Sequence, residues 1–403
     1  MIFTRLKIDN LFCFKETVLD LTYPRKIKDS TIDHEYLEHA PNFRFKRLCI
    51  ISGANASGKS SFSEVLLRII NVLCKENAYT SLLDLEAAIP DLPAIIEAEF
   101  VLPTERTLYF RQITLTIHQG DVSFDYVKVP ILKNDSVQVC RDKILKVLAN
   151  ESVRNAVRIV HHSDDLAINH WKQLYADLNI NDGAHQQVWG FAQSNIYSES
   201  SDARYIEQQN HQSYKDILLA ILKTFDPSID RITASHDEES GTVTEYTIHF
   251  TNKKFCKLDV DGTVDDKYAR LLSMGTYQGI TVAGFVYFIL KMMQNPKASG
   301  TFFLDEKMSY SHSEVEKAIV NLIAQKINRH SQFFFTTHNY DILEMDFPFH
   351  SFVFVKKENH GSEFIWADEV CNKNDRNVLP FVKANYFNTI PDTYLLDDLL
   401  WQK

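Results

Sequence analysis

Gly53-Ala54-Asn55-Ala56-Ser57-Gly58-Lys59-Ser60 stands between the increasingly apolar run Phe45 to Ser52 and the stretch Lys59 to Val72. The first run reads as a strand buried on both faces, as in a parallel sheet. In the second, Phe62, Val65, Leu66, Ile69 and Ile70 recur at helical spacing and predict one apolar helix face. A glycine-containing loop between a strand and a helix lets successive backbone N–H groups point into one concavity at the helix N-terminus, where phosphate oxygens are held. The order matches G-x-x-x-x-G-K-[ST]. Gly53 through Ser61 then form the cradle, Lys59 meets the β- and γ-phosphates of a nucleotide, and Ser60 ligates magnesium.

Toward the N-terminus, Met1 to Ile8 alternates apolar and polar residues like a half-buried strand, with a turn at Asp9-Asn10-Leu11 and a second strand near Val18 to Leu21. Tyr23 to Asn42 is rich in charge and reads as an exposed excursion between strands. Toward the C-terminus, Ile95 to Leu102 and Leu108 to Ile117 form a hairpin around Pro103-Thr104-Glu105-Arg106. From Asp121 to Asp226 the signals are mixed and mostly helical, with an amphipathic helix at Tyr214 to Phe225; a strand follows at Thr242 to Thr251. After Met274 come an apolar helix, a strand at Thr301 to Leu304, a helix at Ser313 to Ile327 and a strand at Gln332 to Thr336. That alternation is an α/β core resumed after an insertion. Two strand-like runs follow Ser351, and Tyr394 to Trp401 closes the chain as a helix. The expected division is 1–120, a mostly helical insertion at 121–226, and 227–403.

Three further constellations carry chemistry. Phe302-Phe303-Leu304-Asp305-Glu306 is an apolar strand ending in two carboxylates. Beside a phosphate, Asp305 would hold magnesium and Glu306 would orient or deprotonate an attacking water. Alone, such a strand end is common; after a phosphate loop in the same chain it gains this meaning. Phe333-Phe334-Phe335-Thr336-Thr337-His338-Asn339 delivers His338 at the C-terminal end of another buried strand, the edge where open α/β sheets bind ligands, placed to donate a hydrogen bond to a γ-phosphate. Leu272-Ser273-Met274-Gly275-Thr276 precedes the apolar helix. Read locally, Ser273 is a helix cap; its hydroxyl and the free N–H groups at Gly275 also suit a phosphate. His161-His162 have no such setting and read as structural.

In this order, the phosphate loop, Ser-x-Gly-Thr before a helix, apolar-Asp-Glu and Thr-Thr-His-Asn resemble the ABC-type ATPase heads of the RecF, SMC and OLD group. The similarity is greatest to compact, stand-alone OLD-like ATPases of the kind called AAA family ATPases. Ile8-Asp9-Asn10-Leu11-Phe12-Cys13-Phe14-Lys15, Phe225-Asp226-Pro227-Ser228-Ile229 and Phe387-Asn388-Thr389-Ile390-Pro391 also match that group. The resemblance implies a mixed sheet with a phosphate-loop core and antiparallel N-terminal strands. It implies ATP and magnesium, and a homodimer or higher oligomer in which Ser273 and Gly275 act in trans on the partner's phosphate loop. It further implies a separate effector protein, a nuclease or toxin, in antiviral defence. The chain departs from the group after Glu306, where Lys307-Met308-Ser309-Tyr310-Ser311-His312 replaces an acidic residue and Leu-His-Pro; only His312 keeps its place. Gln112 and Gln193 are both candidates for the glutamine of the Q-loop.

Composition sets the outer bounds. With 43 Lys and Arg against 53 Asp and Glu, the net charge of -10 provides no general basis for binding a phosphate backbone, so nucleic acid would need a local basic patch. A RecF-like ATPase that clamps nucleic acid is the alternative if such a patch exists, and a scaffold that holds ATP with little hydrolysis is another. The six cysteines show no C-x-x-C pair and read as reduced thiols. The most apolar window, Ile280 to Leu290, falls short of the roughly 18 residues of a membrane helix, and the N-terminus lacks a signal-peptide pattern. The expectation is a cytoplasmic protein that engages no membrane.

Overall fold

In the computed structural model, the described residues are 1–24, 30–74, 78–103, 107–149, 155–160, 189–194, 211–358, 361–371, 377–390 and 394. The chain divides into two compact units, Met1–His185 with Thr336–Lys403, and Gln186–Phe335.

The first unit begins with β1 (Ile2–Asp9) and β2 (Thr17–Asp20), which pair antiparallel as the alternation of Met1 to Ile8 requires. A small hairpin follows, β3 (Tyr36–Leu37) and β4 (Ala40–Arg44), then β5 (Leu48–Gly53) and α1 (Lys59–Cys74). Next come β6 (Ala94–Val101), β7 (Tyr109–His118), β8 (Asp121–Pro130), α2 (Val137–Leu148) and β9 (Asn155–Val160). Six of these strands make one antiparallel sheet in the order β2-β1-β6-β7-β8-β9. One of its faces is covered by α2, whose Val137, Cys140 and Ile144 join Ile2, Phe43 and Phe110 in a single apolar cluster. Arg141 of the same helix reaches the buried Glu99 at 2.8 Å and Asp20 at 2.9 Å, tying helix to sheet. Burial raises the pKa of Glu99, with the Arg141 guanidinium acting in the opposite sense.

The second unit holds β10 (Trp189–Gln193), α3 (His211–Phe225), an antiparallel trio of β11 (Ile229–His236), β12 (Val243–Phe250) and β13 (Phe255–Asp259), then α4 (Met274–Met293), β14 (Ser299–Asp305) and α5 (Ser313–Lys326). Strands β10 and β14 are parallel, with Gln193 opposite Phe303. The last strand of this stretch, β15 (Gln332–Thr337), is buried throughout. Helix α4 packs closely on α3 at Gly279, where an added Cβ would lie 3.0 Å from Leu222 and 3.2 Å from Phe225. The chain then returns to the first unit with β16 (Phe352–Glu358), parallel to β5, and β17 (Gly361–Trp366), antiparallel to β16.

The fold is thus the expected α/β type, with antiparallel N-terminal strands and a parallel strand leading into the phosphate loop. One local expectation fails. Tyr23 to Asn42 is not simply an exposed excursion: Leu37 and Ala40 are buried, and Glu35 is bonded at 2.7 Å to the buried His350. Its charge density points to solvent, yet the Glu35 carboxylate is satisfied internally by His350. Among the described residues of 121–226 the strands β8, β9 and β10 stand beside the helices α2 and α3, and β8 forms a hairpin with β7 across position 120. Val122, Phe124 and Tyr126 alternate inward with a strand's period of two. His161-His162 and the expected helix beyond Tyr394 lie outside the described residues. Among the described residues no helix is long and apolar enough to cross a membrane.

Candidate phosphate-binding and catalytic residues

The phosphate loop lies where β5 hands over to α1. Ala56 and Gly58 take left-handed φ values of 58° and 108°, turning the chain sharply before the Phe62 N–H donates to the Gly58 carbonyl at 2.8 Å and starts the helix. Both glycines are dictated by space as well. A Cβ on Gly53 would meet the Val355 carbonyl oxygen at 2.6 Å, and one on Gly58 would meet Cys13 Sγ at 2.5 Å. Lys59 is buried, and its ammonium donates to the carbonyls of Gly53 (3.1 Å) and Ala54 (3.0 Å), which anchors a positive charge at the loop's rim. Asn55, Ala56 and Ser60 are exposed and Ser61 is half-buried. The hydroxyl of Ser57 is buried and finds no hydrogen-bond partner among the described residues.

Several residues that the motif does not include hold this loop from behind. Ser362 Oγ on β17 donates to the Ser57 carbonyl at 2.6 Å, and Lys357 Nζ on β16 donates to the Ala56 carbonyl at 3.2 Å. The Ser362 N–H donates in turn to the Cys13 carbonyl at 2.7 Å, and Thr17 Oγ1 donates to the Ser362 carbonyl at 2.5 Å. The N-terminal Phe-Cys-Phe-Lys pattern is therefore a buttress of the loop. Asn10, in the same turn, fixes its approach by donating to the carbonyls of Ile89, Leu92 and Pro93. His338 also belongs to the first unit. It follows β15 at an exposed position, and the adjacent Asn339 N–H donates to Thr337 Oγ1 at 2.9 Å.

In the second unit, β14 is buried along its whole length and ends at Asp305, 3% exposed, whose N–H donates to Ser194 Oγ at 2.9 Å. Ser194 follows Gln193 directly, so of the two Q-loop candidates Gln193 lies at the end of β10 beside the β14 terminus. Gln112 instead sits within β7 opposite Glu99 and Val127. Glu306 takes a left-handed φ of 45°, a conformation that costs a non-glycine residue about 1–2 kcal/mol. Such strain in a carboxylate at a strand end is characteristic of functional positions.

Ser273 caps α4, its hydroxyl accepting from the Thr276 N–H at 3.0 Å while Thr276 Oγ1 donates to Asp226 at 3.3 Å. The Asp226 that follows α3 is thereby linked to the Ser-x-Gly-Thr turn. Gly275 has no room for a side chain, since a Cβ would lie 2.9 Å from the Tyr310 carbonyl oxygen. Around this turn Leu271, Met274, Tyr277 and Tyr310 stand 43–64% exposed. His312, the one residue retained after Glu306, caps α5 by accepting from the Glu314 N–H at 3.3 Å.

No protein-family model matches the chain, and no curated protein matches it. Solved structures do. One, described as the recombination mediator protein RecF-ATPrS in the RecFOR pathway, has a TM-score of 0.41 at 11% identity, covering 90% of this chain and 98% of its own. Another, RecF-ATP of the same pathway, has a TM-score of 0.38 at 13% identity, covering 90% and 99%. Similarity of this depth carries no inference about substrate or partner, which rest on the residues themselves.

The residues suit a nucleotide with a hard divalent cation. The loop is bare at both glycines, it carries a buried hydroxyl at Ser57 with no partner among the described residues, and the exposed Ser60 adds an oxygen donor. Among the described residues no group of three or more His, Cys, Asp or Glu side chains could hold a metal by itself. A cation here would depend on substrate phosphates and water for most of its ligands, the habit of magnesium rather than of zinc.

Proposed function

We propose that the chain is an ABC-type ATPase that binds ATP with magnesium and hydrolyses it at composite sites between protomers, and that its nucleotide state is read by a separate effector protein in antiviral defence. The observation that carries the ATP reading is the phosphate loop: two glycines that steric contact requires, followed by a buried lysine whose ammonium sits on the loop's own carbonyls. In the working enzyme the N–H groups from Ala54 to Ser61 bind the phosphates, and the Lys59 ammonium moves from the Gly53 and Ala54 carbonyls to the β- and γ-phosphates. Ser60 and Asp305 would hold magnesium, which neutralises charge on the phosphates. Glu306 orients a water and accepts its proton as the oxygen attacks the γ-phosphorus. The bond to the bridging oxygen breaks, giving ADP and phosphate, and His338 donates a hydrogen bond to the γ-phosphoryl oxygens.

Ser273 and Gly275 belong to the same reading as the groups that reach a neighbouring protomer's nucleotide. The exposed apolar side chains around them support it, because Met274, Tyr277 and Tyr310 next to a polar cap are what an intermittent protein contact uses. Mixing variants tests the arrangement. Lys59→Ala and Ser273→Arg should each lack ATPase activity alone and recover part of it when combined, since one composite site then keeps an intact loop and an intact Ser-x-Gly turn. Verified mixed oligomers without recovered activity would exclude sites shared between chains.

A further inference from the structure

The three-stranded sheet of the second unit has one face turned inward through Ile232, Tyr246, Ile248, Cys256 and Leu258. On the opposite face, register pairing sets Arg231, His249 and Phe255 side by side in one lane across all three strands, with Thr233, Thr247 and Lys257 in the next. Phe255 is 43% exposed, and its ring lies 5.6 Å from that of Tyr268 at an angle of 51°. The ammonium of Lys267 sits 4.9 Å from the centre of the Tyr268 ring. Thr233 Oγ1 and His249 Nε2 are 2.9 Å apart.

Charge is polarised along this sheet. The β12–β13 turn brings Lys253, with a left-handed φ of 68°, and Lys254 to the Phe255 end, both exposed, and Asn252 fixes the turn by accepting from the Lys254 N–H at 3.0 Å. Asp237, Glu238 and Glu239 occupy the β11–β12 turn at the far end. Arg231, Lys257 and Lys267 are paired with Asp230, Glu245 and Asp265 at 2.8, 2.6 and 2.7 Å. Lys253, Lys254 and Arg270 have no carboxylate partner among the described residues. In a chain of net charge -10, these cations stand beside the exposed Phe255 ring and the half-buried Tyr268 ring.

We propose that this face binds single-stranded nucleic acid, with bases stacking on Phe255 and Tyr268 and phosphates meeting Lys253, Lys254 and Arg270. A planar ring flanked by unpaired cations complements a chain that alternates aromatic base and phosphate. An acidic peptide matches the cations but offers nothing planar to Phe255, and a duplex keeps its bases stacked away from the rings. Three phosphate contacts on a single strand give log K a slope of about -2 against log salt concentration.

The test is fluorescence anisotropy of the full chain, without ATP, on labelled thymidine and uridine homopolymers of about 16 nucleotides. Binding to either strand, with the slope above, is expected, and the stronger of the two tells DNA from RNA. Phe255→Ala should weaken binding by about 5- to 150-fold, Phe255→Tyr should retain it, and Lys253→Glu with Lys254→Glu should flatten the salt dependence. Phe255 is solvent-exposed, so these variants keep their melting behaviour. The proposal is overturned by wild-type affinity in Phe255→Ala, by equal affinity for a duplex of the same length, or by equal competition from polyglutamate.

Discussion

Gly58→Ala is the sharpest probe of how the phosphate loop is built, because the structure separates two costs at that one position. The first is conformational: φ is 108°, which an alanine reaches only at about 1–3 kcal/mol. The second is steric. The new methyl would sit 2.5 Å from Cys13 Sγ, closer than carbon and sulfur approach, with Phe14 Cζ and Ser362 Oγ each at 3.3 Å. Relieving it means pushing back the turn that supports the loop, an overpacking cost of about 1–3 kcal/mol. Together the variant should lose about 2–6 kcal/mol and most of its ATP affinity, since the N–H groups at Gly58 and Lys59 are displaced.

Adding Cys13→Ala removes the sulfur but leaves the backbone conformation unchanged. In a double-mutant cycle, Cys13→Ala and Gly58→Ala should therefore show favourable coupling of about 1–3 kcal/mol, as contacting residues do, with ATP affinity only partly restored. The assays are denaturant unfolding for stability and calorimetric titration for ATP. Strict additivity would refute the claim that Cys13 closes the loop from behind, and wild-type ATP affinity in Gly58→Ala alone would refute the requirement for glycine.

Lys59→Ala should fold normally and lose ATP affinity by roughly 10- to 150-fold, the worth of charge-assisted hydrogen bonds to phosphate, measured by the same titration; unchanged affinity would remove the loop from the site. Glu306→Gln should keep ATP binding and slow hydrolysis by about a hundredfold or more, read as phosphate release, and normal turnover would place the base elsewhere. Glu306→Gly should be equally inactive yet no less stable, because relief of the left-handed strain, about 1–2 kcal/mol, offsets the backbone entropy of glycine, about 0.5–1 kcal/mol; a clear loss on denaturant unfolding would show that the strain is absent. Of the six thiols, the half-buried Cys13 and Cys74 should react quickly with a disulfide reagent near neutral pH. Cys140 and Cys256, pushed by burial up to about 12 and about 11, should react only after denaturation, and fast labelling of either would contradict their environment.

What the sequence reveals and what it hides divide along the range of the interactions. The loop, the carboxylates after β14 and the cap before α4 are legible because each is a local instruction: residue types at fixed spacing beside a strand or helix whose period is visible. Ser362, Lys357 and Thr17 escape because each acts across hundreds of positions, Ser362 bonding Ser57 over 305 residues and Thr17 bonding Ser362 over 345. A serine in a strand carries no sign of the carbonyl it will meet. The Tyr23 to Asn42 stretch fails for the same reason, since Glu35 reads as a surface charge until His350, 315 residues away, closes on it.

The partial exception is Cys13. The pattern Asn10-Leu11-Phe12-Cys13-Phe14-Lys15 is legible in the sequence as a resemblance, and the structure gives it a physical meaning. Asn10 ties the turn to the carbonyls of Ile89, Leu92 and Pro93, Phe12 is left-handed with a φ of 55°, and Cys13 is carried against Gly58. The loop's shape is thus set jointly by its own glycines and by a turn some forty residues upstream. Phe12, 42% exposed, is the part of that turn that reaches the surface.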